Sequence, residues 1–293
     1  MPIPRFLADN KKKALLLTAL AGFLWGTSFP AIKIGLHYMD AYTFAFLRFL
    51  VAASIMFFVL LLTGNFTLKF SKKRLLLFLG ISNGVAYLLQ YIGMVFTTAS
   101  KSSLFVNLSA VWVALISPIV LKEHLGGKKI VGVTVSLIGV VLMTTNLGFS
   151  SLNQGIIMGD LLVIGAGFLW ALFIVYNKPL IKDNQNLVQS MTWLLIFTLL
   201  PLIPTAAFSV STFASLPLDA WTAIFYTAVF CWVIPYYLWL KGLRHISATT
   251  SSVVLLTEII VAVAIATLAL GEVLTVISGV GALFIIIAIL IVS

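Results

Sequence analysis

Apolar residues run along this chain in blocks of helix length, separated by short polar stretches. Ten blocks are predicted, at about 14–35, 41–62, 75–96, 102–121, 129–147, 157–177, 188–209, 219–240, 248–270 and 273–292. A helix needs about 20 apolar residues to cross a bilayer core, and each block is long enough. Strands of a membrane barrel would instead alternate at every second residue over about ten residues. The joints hold the breakers and charges: "GNFTLKFSKKR", "KEHLGGKK", "GFSSLNQG", "NKPLIKDNQN", "SLPLD" and "KGLRHIS". None is long enough for a soluble domain. The expected fold class is an all-α polytopic membrane protein with ten transmembrane helices.

Composition supports the bilayer. The chain is 61% hydrophobic and 9% charged, with a mean hydropathy of +1.16. Soluble domains carry about 25% charged residues. Lys and Arg then give the orientation. With the N-terminus inside, the inner segments hold Arg5, Lys11, Lys12, Lys13, Lys69, Lys72, Lys73, Arg74, Lys122, Lys128, Lys129, Lys178, Lys182, Lys241 and Arg244. The outer loops hold only Lys101, and Lys33 and Arg48 lie in or near spans. Both termini are therefore expected in the cytoplasm, with the chain multi-pass in the cell (inner) membrane. The net charge of +10 is this positive-inside signal and calls for no nucleic-acid partner. "KKKALLLTALAG" has the basic start of a signal peptide, but the apolar run continues to about Ile34, so an uncleaved first span is expected. The single cysteine, Cys231, excludes an internal disulfide.

The chain repeats itself. "AGFLWG" at Ala21–Gly26 recurs as "AGFLWA" at Ala166–Ala171, an offset of 145 that also carries Lys33 onto Lys178. Further on the offset is 149: Gly93 meets Gly242, Ala99 meets Ala248, Ser102–Ser103 meet Ser251–Ser252, Glu123 meets Glu272 and Gly132 meets Gly281. The spans divide five plus five, as halves 1–150 and 151–293. Five is odd, so the second half enters the membrane inverted. Substrate sites in inverted repeats lie at the interface of the halves.

The stretches that carry the repeat also carry a resemblance. "AGFLWGTSFPAIK", "FLRF", "SPIVLKEHLGGKKIVGVTVSLIGVVLM" and "TEIIVAVAIATLALGEVLTVISGVGALFIIIAIL" resemble the EamA-type family of the drug/metabolite transporter superfamily, over nearly the whole chain and in two copies. The resemblance implies ten helices in an inverted 5+5 repeat. It also implies a central cavity lined mainly by spans 1, 3, 4, 6, 8 and 9, and export of amino acids or other small metabolites. The family often has Pro after the Glu of span 9, whereas Ile259 follows Glu258 here.

Candidate cavity residues follow from polar and aromatic positions inside spans. Asn83, Tyr87, Gln90, Tyr91 and Met94 share one helical face. At the offset of 149, Asn83, Tyr87 and Gln90 meet Trp232, Tyr236 and Trp239. A polar stripe in lipid belongs inside the bundle. Interhelical packing is the competing account, and Trp239, near a span end, fits an interfacial belt best. Trp25 and Trp170 are mid-span repeat mates, and their rings suit an apolar or cationic substrate group as well as packing. Ser28 follows Trp25, Pro30 should kink span 1, and Asn107 adds a polar position in span 4. Arg48 either snorkels outward or pairs with a carboxylate; Lys33 should snorkel. Glu123 and Glu272 should each cap the helix that follows.

Glu258 is the acid in mid-span. An ionised side chain there costs roughly 2.5–3.5 kcal/mol or more. Its repeat mate is Ser109, so the scaffold does not demand an acid. Three readings stand: a proton carrier in the transport cycle, a partner for a substrate amino group or Arg48, or a protonated acid bonded to Thr or Ser. A secondary transporter with a small-molecule substrate is the leading expectation, as an exporter of amino acids or related metabolites. A broad-specificity multidrug exporter is the alternative, and a channel or membrane enzyme stands behind it. There is no GxxxxGK[ST] loop for ATP and no HExxH, GxSxG or Cys/His cluster. No catalytic residues, metal or cofactor are expected. One chain supplies both halves, so a monomer suffices.

Overall fold

The computed structural model describes residues 5–64, 72–96, 102, 105–145, 157–181, 186–207, 216–270 and 275–292. Among them the regular structure is helical. The helices are α1 (Arg5–Gly26), α2 (Ser28–Tyr38), α3 (Ala41–Leu62), α4 (Lys73–Phe96), α5 (Ser109–Leu121), α6 (Gly127–Thr145), α7 (Ile157–Ile181), α8 (Leu187–Ala207), α9 (Leu218–Ala228), α10 (Ile234–Leu243), α11 (Ala248–Leu255), α12 (Thr257–Leu270) and α13 (Val276–Val292). A π turn, Val229–Val233, joins α9 to α10.

Seven continuous helical stretches among the described residues are long and apolar enough to cross a membrane: Asp9–Tyr38, Ala41–Leu62, Lys73–Phe96, Ile157–Ile181, Leu187–Ala207, Leu218–Leu243 and Ala248–Ile265. The other three expected spans, 102–121, 129–147 and 273–292, fall on helices described over a shorter apolar length or only in part. The outer surface is greasy. Ile119 and Leu218 are 80% exposed and Leu268 is 86% exposed. In water such a surface would drive aggregation; facing acyl chains it costs nothing. This is a multi-pass membrane protein.

Polar side chains at the helix ends do the work of caps. The Asp40 Oδ1 accepts from the N–H groups of Tyr42 and Thr43, each at 2.9 Å, and so starts α3. Ser247 Oγ accepts from Thr250 N at 3.1 Å at the start of α11. Glu123 also caps, but not the helix that follows it. Its Oε1 accepts from Ala248 N at 2.9 Å, so it closes the N-terminus of α11, 125 residues further on. The physical job is the expected one, satisfying an orphan N–H, but tertiary packing brings a different helix end to the carboxylate. Glu272 lies outside the described residues.

Glycines let the helices approach, and they do so in pairs. A Cβ on Gly22 of α1 would stand 3.0 Å from the Leu255 carbonyl oxygen; one on Gly167 of α7 would stand 3.0 Å from that of Val106. Gly22 and Gly167 differ by 145, Val106 and Leu255 by 149. Likewise a Cβ on Gly93 would stand 2.9 Å from the Gly159 carbonyl, and one on Gly242 2.7 Å from that of Ala14. The consequence is a crossed arrangement. Helix α1 lies against α10, α11 and α12, while α7 lies against α4 and α5. Helices α6 and α13 pack on each other.

Candidate functional site

Three apolar stretches are interrupted in mid-course. Helix α1 gives way to α2 at Thr27, the chain turns at Leu108 before α5, and α11 gives way to α12 at Leu256. Pro30 lacks the N–H that would bond the Gly26 carbonyl, which accounts for the first break. Thr27 Oγ1 satisfies the neighbouring Leu24 carbonyl at 2.7 Å and accepts from Tyr226 Oη at 2.8 Å. The break at Leu256 arises without proline, two residues before Glu258. Short-turn bonds run from Leu256 N to Val253 O (3.1 Å) and from Ile259 N to Leu256 O (3.0 Å). Irregular backbone at membrane depth is tolerated where it is buried in protein or lines a cavity.

All three breaks and the π turn border one cavity. It is lined by Trp25, Ser28, Phe29, Ile32, Tyr87, Gln90, Val106, Asn107, Ser109, Trp170, Phe173, Ile174, Trp232, Tyr236, Trp239, Ser252, Leu255 and Glu258. These residues come from the six segments that the family resemblance implied. The empty space is about 770 Å³ with its open mouth included, within the roughly 300–1,000 Å³ of clefts that take small organic molecules. Lining residues recur in pairs at the repeat offsets: Trp25 with Trp170, Ser28 with Phe173, Tyr87 with Tyr236, Gln90 with Trp239, and Ser109 with Glu258.

The rings form a continuous wall. Trp232 and Tyr236 have centroids 4.6 Å apart, Tyr87 and Trp170 4.7 Å, and Trp25 and Trp239 6.0 Å. Polar bonds hold several in place. Tyr236 Oη donates to Asn177 Oδ1 at 2.7 Å, Trp239 Nε1 to Ser251 Oγ at 2.8 Å, and Trp170 Nε1 to Gln90 Oε1 at 3.4 Å. Trp25 Nε1 is buried without a partner among the described residues.

Of the candidates, Trp25, Ser28, Tyr87, Gln90, Asn107, Trp170, Trp232, Tyr236 and Glu258 line this one cavity. Tyr91 and Met94 of the span-3 face do not line it, and neither do Asn83 and Arg48. Asn83 turns toward α8 and donates from Nδ2 to Thr198 Oγ1 at 3.1 Å. Arg48 is 1% exposed and neither snorkels nor meets a carboxylate. Its Nε donates to the Thr227 carbonyl at 3.1 Å and its Nη2 to the Cys231 carbonyl at 3.0 Å. Nη1 donates to Tyr91 Oη, and the guanidinium sits 4.8 Å from the Tyr87 ring centroid. The π turn explains this placement, because a wide turn disturbs the regular carbonyl ladder and leaves acceptors for a buried donor. Trp239, which fitted an interfacial belt, is 1% exposed and lines the cavity. Its repeat mate Gln90 was the signal that could have placed it there. Phe173 and Ser252 also line the wall, and apolar patterning gave no warning of either.

Two lysines bond from one helix to the backbone of another. Lys33 does not snorkel; its Nζ donates to the Met94 carbonyl at 2.8 Å, near the end of α4. Lys178 Nζ donates to the carbonyls of Leu243 and Ile246, the latter at 2.6 Å, at the end of α10. Lys33 and Lys178 differ by 145, and Met94 and Leu243 by 149. Each bond crosses between the packed groups, α2 to α4 in one case and α7 to α10 in the other.

Glu258 lines the cavity, and its carboxylate has no hydrogen-bond partner among the described residues. The neighbouring Thr257 Oγ1 is turned away, to the carbonyls of Ala19 (3.3 Å) and Val254 (3.1 Å). Among the described residues Glu258 forms neither a pair with Arg48 nor a bond to a Thr or Ser hydroxyl.

A bilayer-spanning helical bundle whose broken helices surround an aromatic cavity has the form of a small-solute carrier. Comparison with known proteins is consistent with that. A sequence model of the EamA-like transporter family matches residues 12–145 and again 157–293, so the chain belongs to that family. An uncharacterized transporter of Archaeoglobus fulgidus is 32% identical over 83% of this chain and 84% of its own length. Probable amino-acid metabolite efflux pumps of Salmonella typhimurium and Escherichia coli are 27% and 26% identical, over 90% and 94% of this chain and 89% and 92% of theirs. A solved crystal structure shares the fold at a TM-score of 0.78 over 96% of both chains, with 14% identity. Family and relatives point to a transporter rather than an enzyme.

Proposed function

We propose that this protein is a secondary exporter of small organic solutes such as amino acids or related metabolites. It works by alternating access, with substrate held in the cavity between two inverted five-span halves, 1–150 and 151–293. Both termini face the cytoplasm from the cell membrane, and one chain is sufficient. The observation that carries this reading is the paired lining of one cavity by residues 145 or 149 apart. Inverted repeats expose a shared site to either side by rocking one packed group against the other. In that cycle the Lys33 and Lys178 bonds are latches on opposite faces, each of which must open for the cavity to open on its side. The efflux-pump relatives support the solute class. The test is solute flux in proteoliposomes with and without a pH gradient, screening amino acids and small amines. Saturable flux by the wild type supports the reading; no flux of any solute, or ion currents through an open pore, overturns it. Glu258→Gln then asks whether the gradient acts through that acid.

A further inference from the structure

The cavity wall holds one acidic side chain, Glu258, and no basic side chain among the described residues lines the space with it. Arg48, the one buried lysine or arginine among the described residues, packs on the Tyr87 ring and donates to two carbonyls and a hydroxyl. Glu258, by contrast, has no donor on its carboxylate among the described residues, and the Thr257 hydroxyl beside it points elsewhere. A carboxyl left so in a low-dielectric site either holds a proton or exchanges it for a cation from outside. The rest of the wall suits one kind of cation. Rings attract an ammonium group through their quadrupole and bury an apolar body equally well. Ser28, Gln90 and Asn107 add neutral polar groups, not a second charge.

We propose that the cavity binds an organic ammonium ion, its charged nitrogen on the Glu258 carboxylate and its apolar body among Trp25, Tyr87, Trp170 and Trp232. This rests on the carrier reading above and narrows its substrate class. Organic anions are excluded, because they would meet Glu258 with no cation lining the space to offset it. Neutral solutes of the same shape bind through the rings alone.

The test uses purified full-length protein in nanodiscs at neutral pH and three probes sharing one ring: 2-phenylethylammonium, 2-phenylethanol and phenylacetate. Binding is read from quenching of the cavity tryptophans. The ammonium should bind at least tenfold more tightly than the alcohol, and phenylacetate more weakly than either. In Glu258→Gln the ammonium and alcohol should bind within about threefold of each other. Absence of saturable ammonium binding overturns the proposal, as does equal binding of the alcohol or anion by the wild type. An undiminished ammonium preference in Glu258→Gln does the same. If that variant does not fold, the wild-type comparison decides alone. Ammonium binding without flux in proteoliposomes would sink the carrier reading and leave this one standing. Flux of anions with no ammonium binding would do the reverse.

Discussion

In the proposed cycle the Lys33 and Lys178 bonds give a prediction with opposite signs on opposite faces. Lys33 makes one bond to the Met94 carbonyl, whereas Lys178 meets the carbonyls of Leu243, Arg244 and Ile246. A hydrogen bond to a charged group contributes about 1.5–3 kcal/mol net. Since 1.4 kcal/mol is about tenfold in an equilibrium constant, removing Lys33 should favour opening on its own face by roughly tenfold to a hundredfold. Removing Lys178 should favour the opposite face by at least as much. Methionine keeps most of the stem and removes only the charged head. Spin labels report each face separately. Tyr38 and Phe96 end α2 and α4 beside Lys33, and Lys122 and Lys241 lie at the ends of α5 and α10 beside Lys178; all four are exposed. Labelled pairs are placed in a Cys231→Ser background and read by double electron–electron resonance. Lys33→Met should widen the Tyr38–Phe96 distribution and leave Lys122–Lys241 narrow, and Lys178→Met should do the converse. If either variant widens both pairs, or neither pair moves, the latches are static packing and the reasoning is wrong.

Further expectations concern stability. Arg48→Met leaves the Thr227 and Cys231 carbonyls without their donor, at about 1–3 kcal/mol each. Arg48→Lys should not restore the loss, since a single ammonium head cannot copy the guanidinium fork; thermal unfolding in detergent measures both. Glu123→Ala uncaps α11 and should cost about 1 kcal/mol, seen as earlier hydrogen exchange at Ala248 with α6 unaffected. Gly22→Val and Gly167→Val press a side chain onto a neighbouring backbone and should abolish folded protein in size-exclusion profiles. Gly279→Ala meets nothing within 4 Å inside α13 and should raise stability by about 0.5–1 kcal/mol.

Membrane insertion, helical class and the duplicated pattern were all legible in the chain, because they depend on composition and period. A run of apolar residues has few options in lipid, where the backbone must satisfy itself. The offsets of 145 and 149 also named much of the wall: Tyr87 with Tyr236 and Trp25 with Trp170 were visible as matched letters. What the letters lacked was the third dimension. Arg48 reads as a charge in search of a carboxylate, yet carbonyls in and just before the π turn, 179 and 183 residues further on, receive its bonds instead. Lys33 reads as a snorkelling residue until the end of α4 is seen within reach. Glu123 reads as a cap for its own neighbour until α11 is seen closer. Polarity along a chain says that a group must find a partner; only the packing of helices distant in sequence says which partner it finds, because hydrogen bonds depend on distance and direction and not on order in the chain.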